Sequence, residues 1–418
     1  MAQFQGLIGL AVLLLLAWSL SENRSQRPGW RWIAGALLLQ VAIALVVVRV
    51  PPIWAAVGVA NQGVAAIERA TLVGSSYMFG YLGGAPLPFA LTPGTAPPLI
   101  IAFQILPLII VFSALSALLW HWGLLKALVR GLAWALRRTL GVSGVVGLAG
   151  GATLFLGVVE SPLVLRAWFA RMSRAELFAI MAMIMATISG AILVLYASTL
   201  GKVIPNAAGH LIVASLISLP AALLVARLMV PGNPEASTPA EPDLAYDGAM
   251  DAVVRGAMEG VQLMLAVIGI IITIFALVNL VDQMLALLPV VDGAALTLRR
   301  MLGWLCAPLL WVIGVPWDQA PAAGALMGTK AILNEYVAYL DLAALAPGTL
   351  DPRSRLIVTY ALAGFANLAS IGLLVSTIAS LCPERRAEAA GLGVKSWIAG
   401  NLATLMTGAM IGLVTPLV

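Results

Sequence analysis

Two carboxylates stand where the surrounding residues make an acid costly. Glu160 lies in GATLFLGVVESPLVLRAW (151–168) and Glu335 in GALMGTKAILNEYVAYL (324–340). An ionised carboxylate in hydrocarbon costs several kcal/mol, so it persists only beside a cavity, against a cation or with a proton on it. Pro162 follows Glu160-Ser161 directly, removing a backbone donor and bending the chain. The N–H and C=O groups so freed are tolerated in a membrane only where they line a cavity or another protein surface. A broken backbone carrying an acid therefore reads as a site that binds a polar solute or moves a proton. The packing-only alternative is an ion pair, with Arg166 or Lys330 as the cation.

Two intramembrane acids could also serve a hydrolase as general acid and base. The chain has no His-Glu-x-x-His or Gly-x-Ser-x-Gly motif, and its two histidines make poor catalytic partners. His121 borders a Trp-flanked span end and His210 opens a helix. An enzyme is not expected, nor a resident metal or cofactor. A sensor that binds without transporting would share all these residues, and gradient-driven uptake would separate the two.

Composition sets the solvent. At 61% hydrophobic and 10% charged, with mean hydropathy +1.02, the chain carries more apolar surface than a soluble fold can bury. Runs near the ~20 residues a spanning helix needs fall at 6–20, 32–50, 97–120, 176–200, 208–230, 258–289, 355–381 and 395–417. This predicts an all-α polytopic membrane protein of about eight transmembrane helices. Met1 to Gln5 lacks the basic region of a secretory signal, so the first span is expected to be retained. Arg24, Arg27 and Arg31 mark one cytoplasmic loop, and Arg385, Arg386 and Lys395 another, which places both termini outside. The net charge of +5 is accounted for by these membrane-flanking residues, so no nucleic-acid partner is implied and the lipid bilayer is the surface met. Cys306 and Cys382 suggest no disulfide framework.

Residues 52–70 and 123–140 mix apolar and charged positions at helical spacing, as interfacial helices do; the second sets Lys126, Arg130, Arg137 and Arg138 against a Leu/Trp face. The Pro- and acid-rich stretch 231–248 reads as a solvated linker. On either side of it one order recurs: an interrupted apolar segment holding an acid (Gly141 to Trp168, Leu302 to Leu345), then two spans. Paired broken segments point to an inverted-repeat transporter with its substrate near the membrane midplane. The expected division is 1–122 for the N-terminal spans, interfacial helix and scaffold; 123–230 for the first repeat; 231–300 for the linker and a long scaffold helix; and 301–418 for the second repeat.

Four segments carry a family likeness over nearly the whole chain: GSSYMFGYLGG (74–84), GHLIVASLISLPAALLVARLMVPG (209–232), GWLCAPLLWVIGVPWDQAPAAGALMGTKAILNEYVAYLDL (303–342) and YALAGFANLASIGLLVSTIASLCPERR (360–386). In content and order they resemble the concentrative nucleoside transporters. The resemblance implies two re-entrant hairpins in an inverted repeat, and a homotrimer in the bacterial inner membrane. It also implies that a transport domain carries a nucleoside past a fixed scaffold in an elevator-like movement, driven by a proton or sodium gradient.

Position by position, the resemblance assigns the ribose hydroxyls to Glu335 and Asn367, with Ser370 nearby, and places Glu160 in the same polar cluster. A carboxylate accepts from both hydroxyls of a diol while an amide supplies the complementary donor. Phe365 would offer an aromatic face. The departure is at Gly157-Val158-Val159-Glu160, where the family carries Gly-Gln-Thr-Glu. Valines there leave the base edge without partners, at a cost of about 1–3 kcal/mol each. Either other groups read the base, with Thr187 or Ser189 near Ile192 as candidates, or the cargo is more apolar or modified beside its sugar. The coupling-ion positions of sodium-driven members fall on Thr153 and Thr187 with the carbonyls of Leu156 and Ile188. The family's amide oxygen is absent at Thr153, which favours a proton, with sodium as the alternative.

Overall fold

The computed structural model describes residues 2–49, 51–90, 99–158, 160–201, 203–232, 244–291 and 293–415. Val159 and most of the 231–248 linker lie outside the described residues. Among those described, the regular structure is helical apart from one isolated bridge, Val291 to Ala294. The helices are α1 (Ala2–Ser19), α2 (Trp30–Arg49), α3 (Pro51–Phe79), α4 (Ile101–Gln104), α5 (Pro107–His121) and α6 (Leu124–Leu140). After them come α7 (Gly144–Thr153), α8 (Glu160–Val164), α9 (Arg174–Ala186), α10 (Gly190–Leu200) and α11 (Ala207–Met229). Beyond the linker are α12 (Ala249–Leu285), α13 (Leu298–Val312), α14 (Ala320–Ile332), α15 (Glu335–Ala344), α16 (Pro352–Leu362), α17 (Leu368–Leu381) and α18 (Arg386–Val414).

The recurring order is visible in the helices. An amphipathic or interrupted helix (α6, α13) turns back into a second (α7, α14), a third opens on the acid (α8 on Glu160, α15 on Glu335), a broken pair follows (α9/α10, α16/α17), and a long helix closes the unit (α11, α18). Each turn-back needs backbones closer than side chains allow. A Cβ on Gly151 of α7 would stand 2.5 Å from the Val129 carbonyl of α6, and one on Gly324 of α14 would stand 2.5 Å from the Gly303 carbonyl of α13. Glycine is the residue that admits such contact.

Helix α6 meets its expectation, burying Leu125, Val129, Ala133, Leu136 and Leu140 on one face and turning Arg130, Arg137 and Arg138 outward. Left-handed glycines bound it on both sides, Gly123 at φ 84° and Gly141 at φ 60°. The segment expected over 52–70 extends to a helix of 29 residues, α3, which packs on α2, α5, α10 and α11. Two expected continuous spans prove to be broken. Thr187 and Ser189 are extended between α9 and α10, and Ala363 to Asn367 separates α16 from α17. The described residues include five helical stretches long and apolar enough to cross a membrane, with α1, α2 and α17 among the shorter apolar helices.

One end of the bundle gathers the basic loops. Glu22, between α1 and α2, accepts from Arg174 (2.8 Å) and Lys395 (2.6 Å), while Arg385 pairs with Glu388 and donates to the Phe169 carbonyl. The loops expected on the cytoplasmic side are thus joined to each other. Arg174, with Lys395, holds the Glu22 carboxyl down at about 2 against an ordinary 4.5. A depressed carboxylate contributes stability above its unfolded pKa and loses it as pH falls through the folded one. Glu22→Gln is therefore expected to lower Tm by about 1–2 °C at pH 7, since partly exposed pairs are weak. Differential scanning fluorimetry should show that gap closing as the pH falls from 4.5 toward 2.

Candidate functional site

Asn367 shows how local structure aims a side chain. As the N-cap of α17 its Oδ1 accepts from the Ser370 N–H (2.8 Å), which leaves its NH₂ to donate to Glu335 Oε2 (2.9 Å). Asn334 does the same for α15, accepting from the Val337 N–H, so Glu335 begins that helix at a fixed point. The other carboxylate oxygen, Glu335 Oε1, accepts from Tyr196 Oη of α10 at 2.5 Å. Tyr196 is itself held between Tyr336 (ring centroids 5.9 Å apart, 14° between planes) and Tyr339 (5.1 Å). The acid of one half is thus seated by the broken helix of the other, and α8 likewise packs on α17.

These groups face a cavity of about 110 Å³. Glu160, Glu335, Asn367, Ser370, Phe365, Val158 and Ile192 all line it, as the sequence predicts, and so does Ser189. Val159 is outside the described residues. Three lining features were not anticipated: Tyr196, Asn334, and an apolar wall of Leu263, Ala266, Val267 and Ile270 from α12. A tyrosine in a buried run is a signal, because its hydroxyl must find a partner. The α12 wall offers none, since those residues look like any lipid-facing stretch.

Neither acid makes a direct ion pair among the described residues, although the Lys330 charge acts on Glu335. Lys330 is fully buried, but its Nζ donates to Asn401 Oδ1 (2.8 Å) and Thr404 Oγ1 (3.0 Å), tying α14 to α18. Arg166 is exposed. Glu160 folds its carboxylate over Gly157, where a Cβ would collide with it, and no side chain among the described residues donates to it. Thr187 does not line the cavity: its hydroxyl donates to the Met183 carbonyl (2.9 Å) and approaches the Thr153 carbonyl (3.4 Å). Thr153 Oγ1 donates to the Gly150 carbonyl, the Leu156 carbonyl accepts from Ser161 Oγ (3.1 Å), and the Ile188 N–H reaches Ser215. Thr153 and Thr187 are therefore neighbours, with their hydroxyls committed to backbone.

Comparison with known proteins places this geometry. Residues 8–82 and 210–412 match models described as the N- and C-terminus of Na+ dependent nucleoside transporters, and 102–203 match one described as nucleoside recognition. The chain is similar to the putative nucleoside permease NupX of Escherichia coli, 33% identical over 98% of both chains. It is also similar to the nucleoside permease NupC of Helicobacter pylori, 31% identical over 97% of this chain and 96% of that one. Its fold matches the structure of CNTnw in an inward-facing substrate-bound state with a TM-score of 0.87, at 33% identity over 99% of this chain and 98% of the other. With two acid-bearing hairpins and two broken helices closing on one cavity, this membrane protein is a transporter rather than an enzyme, and it belongs to the concentrative nucleoside transporter family.

Proposed function

We propose that the protein is a secondary active symporter that imports nucleosides, or a nucleoside-like ribosyl compound, with a proton. The observation that carries this reading is the Glu335–Asn367 pair, a carboxylate and an amide bonded to each other at 2.9 Å on the wall of the cavity. Each carboxylate oxygen retains a lone pair for a sugar hydroxyl. Phe365 and Ile192 supply apolar contact, and the α12 wall closes the far side. A cavity bounded by the paired repeats on one side and α12 on the other suits an elevator in which the repeats travel along α12 and α5. The apolar exposed face of α12, with Leu265, Ile272 and Leu277, suits burial against copies in a homotrimer or against lipid. The basic end of the bundle would face the cytoplasm across an inner membrane, leaving both termini periplasmic.

Two observations support the proton. At Thr153, where the family's sodium site has an amide oxygen, there is only a hydroxyl, and it donates to the Gly150 carbonyl, so the strongest neutral ligand for sodium is missing. Glu160 faces the cavity without a side-chain donor, which leaves it able to carry a proton. Sodium is the second reading, favoured by the descriptions of the matching family models. Proteoliposomes with an inward pH gradient and no sodium are expected to accumulate radiolabelled nucleoside at least tenfold over controls, and a protonophore should abolish this. Accumulation driven by a sodium gradient alone would overturn the proton reading; failure of both gradients with every nucleoside would overturn symport.

A further inference from the structure

The substrate cavity has an annex. Beyond Glu160 and Ser189, which border both spaces, a second recess opens between α5 and α12, lined by Ser113, Ser116, Tyr246 and Glu259. It runs toward the end of the bundle where the Trp120 indole donates to the Leu244 carbonyl (3.0 Å), joining α5 to the start of α12. Two of its polar groups are unspent. Ser189 is 2% exposed, does not cap α10 with its side chain, and its Oγ is buried without a partner among the described residues. The nearest cation on α12, Arg255, lies over the Tyr246 ring and turns to Asp251 (3.5 Å) and the Ala245 carbonyl (3.3 Å), leaving Glu259 without a direct ion pair among the described residues.

We propose that this annex receives the nucleobase, and that Glu259 and Ser189 read its edge in place of the side chains that Val158 and Val159 lack. The inference rests on the nucleoside reading of the main cavity. If the ribose is held at Glu335 and Asn367, the base extends past Val158 and Glu160, the acid given to the proton, and beyond them it meets Ser189 Oγ and the Glu259 carboxylate. An ionised carboxylate only accepts, so it selects bases that present N–H donors. Two adjacent donors suit it best, because they engage both oxygens at once. A 2-amino-6-oxopurine edge offers that pair; a 6-oxopurine without the amino group offers one, and a uracil edge offers one donor between two carbonyls. The serine hydroxyls serve either role. The specificity would thus lie on α12 and at the break between α9 and α10, outside the hairpin whose Gly157–Glu160 stretch departs from the family pattern.

The test is competition for uptake of radiolabelled inosine into proteoliposomes by unlabelled guanosine, inosine, adenosine and uridine. In the native protein guanosine is expected to compete about tenfold better than inosine, the increment of one charge-assisted hydrogen bond. In Glu259→Gln the guanosine-to-inosine ratio should fall toward one, because an amide presents one acceptor where the carboxylate presents two. Equal potency of guanosine and inosine in the native protein, or an unchanged ratio in Glu259→Gln, would overturn the annex while leaving nucleoside transport standing. Absence of uptake or binding of any nucleoside would instead defeat the reading on which the annex rests.

Discussion

Glu335→Gln is expected to reduce nucleoside uptake at least a hundredfold while the protein still folds. The native carboxylate accepts from Tyr196 Oη and Asn367 Nδ2, and a bound diol would take its remaining lone pairs. Glutamine keeps the shape but replaces one acceptor oxygen with an NH₂, and that NH₂ must face either the tyrosine hydroxyl or the asparagine NH₂. Toward the tyrosine it donates to an oxygen whose O–H rotates away, while its own oxygen still accepts from Asn367; toward the asparagine it would set donor against donor, so the first orientation is taken. Loss of two charge-assisted bonds to substrate, at about 1.5–3 kcal/mol each, accounts for the hundredfold. The folded state is spared because removing a buried charge also removes its desolvation penalty, which offsets the weakened bonds. Uptake in proteoliposomes, with gel-filtration profile and Tm as controls, checks both halves. Uptake within twofold of the native protein would mean that Glu335 holds no part of the cargo.

The sequence disclosed more of this site than of the machinery around it. Glu160 and Glu335 stood out because an acid in an apolar run has few explanations, and Pro162 marked the backbone break beside the first. The helical class and most spans followed from hydropathy alone. Tyr196 was hidden because its meaning lies in a contact across 139 positions, between a broken helix of one half and an acid of the other. Lys330 was half legible: its charge acts on Glu335, as proximity in sequence suggested, but its Nζ donates to Asn401 and Thr404 of α18 rather than to the acid. The breaks at 187–189 and 363–367 were illegible because both runs keep their hydrophobicity through the break. Only capping residues mark it, Asn367 by its side-chain hydrogen bond and Ser189 by position. The α12 wall of the cavity carries no polar mark to separate it from residues facing lipid.

Arg353→Met is expected to destabilise the fold by several degrees in Tm although it lies away from the cavity. Its side chain is buried at the start of α16, 7% exposed, and its two terminal nitrogens reach carbonyls on different elements, Gly314 (2.8 Å) and Gly412 (2.8 Å). Gly314 lies in the left-handed region at φ 115°, just past the end of α13, so its carbonyl is turned out of the helix and toward the guanidinium. One planar cation therefore fastens the end of α13 and the last turn of α18 to α16. Methionine fills much of the volume but leaves both carbonyls without that donor, and buried acceptors of this kind cost about 1–3 kcal/mol each. The expected result is a fall in Tm of several degrees and a smaller monodisperse fraction after detergent extraction. Arg353→Lys separates the hydrogen bonds from the packing: an ammonium retains the charge but lacks the fork that spans both carbonyls, so it should recover only part of the loss. If Lys and Met variants melt together, or both melt with the native protein, the clamp contributes nothing and the second hairpin is held at its outer end by helix packing alone.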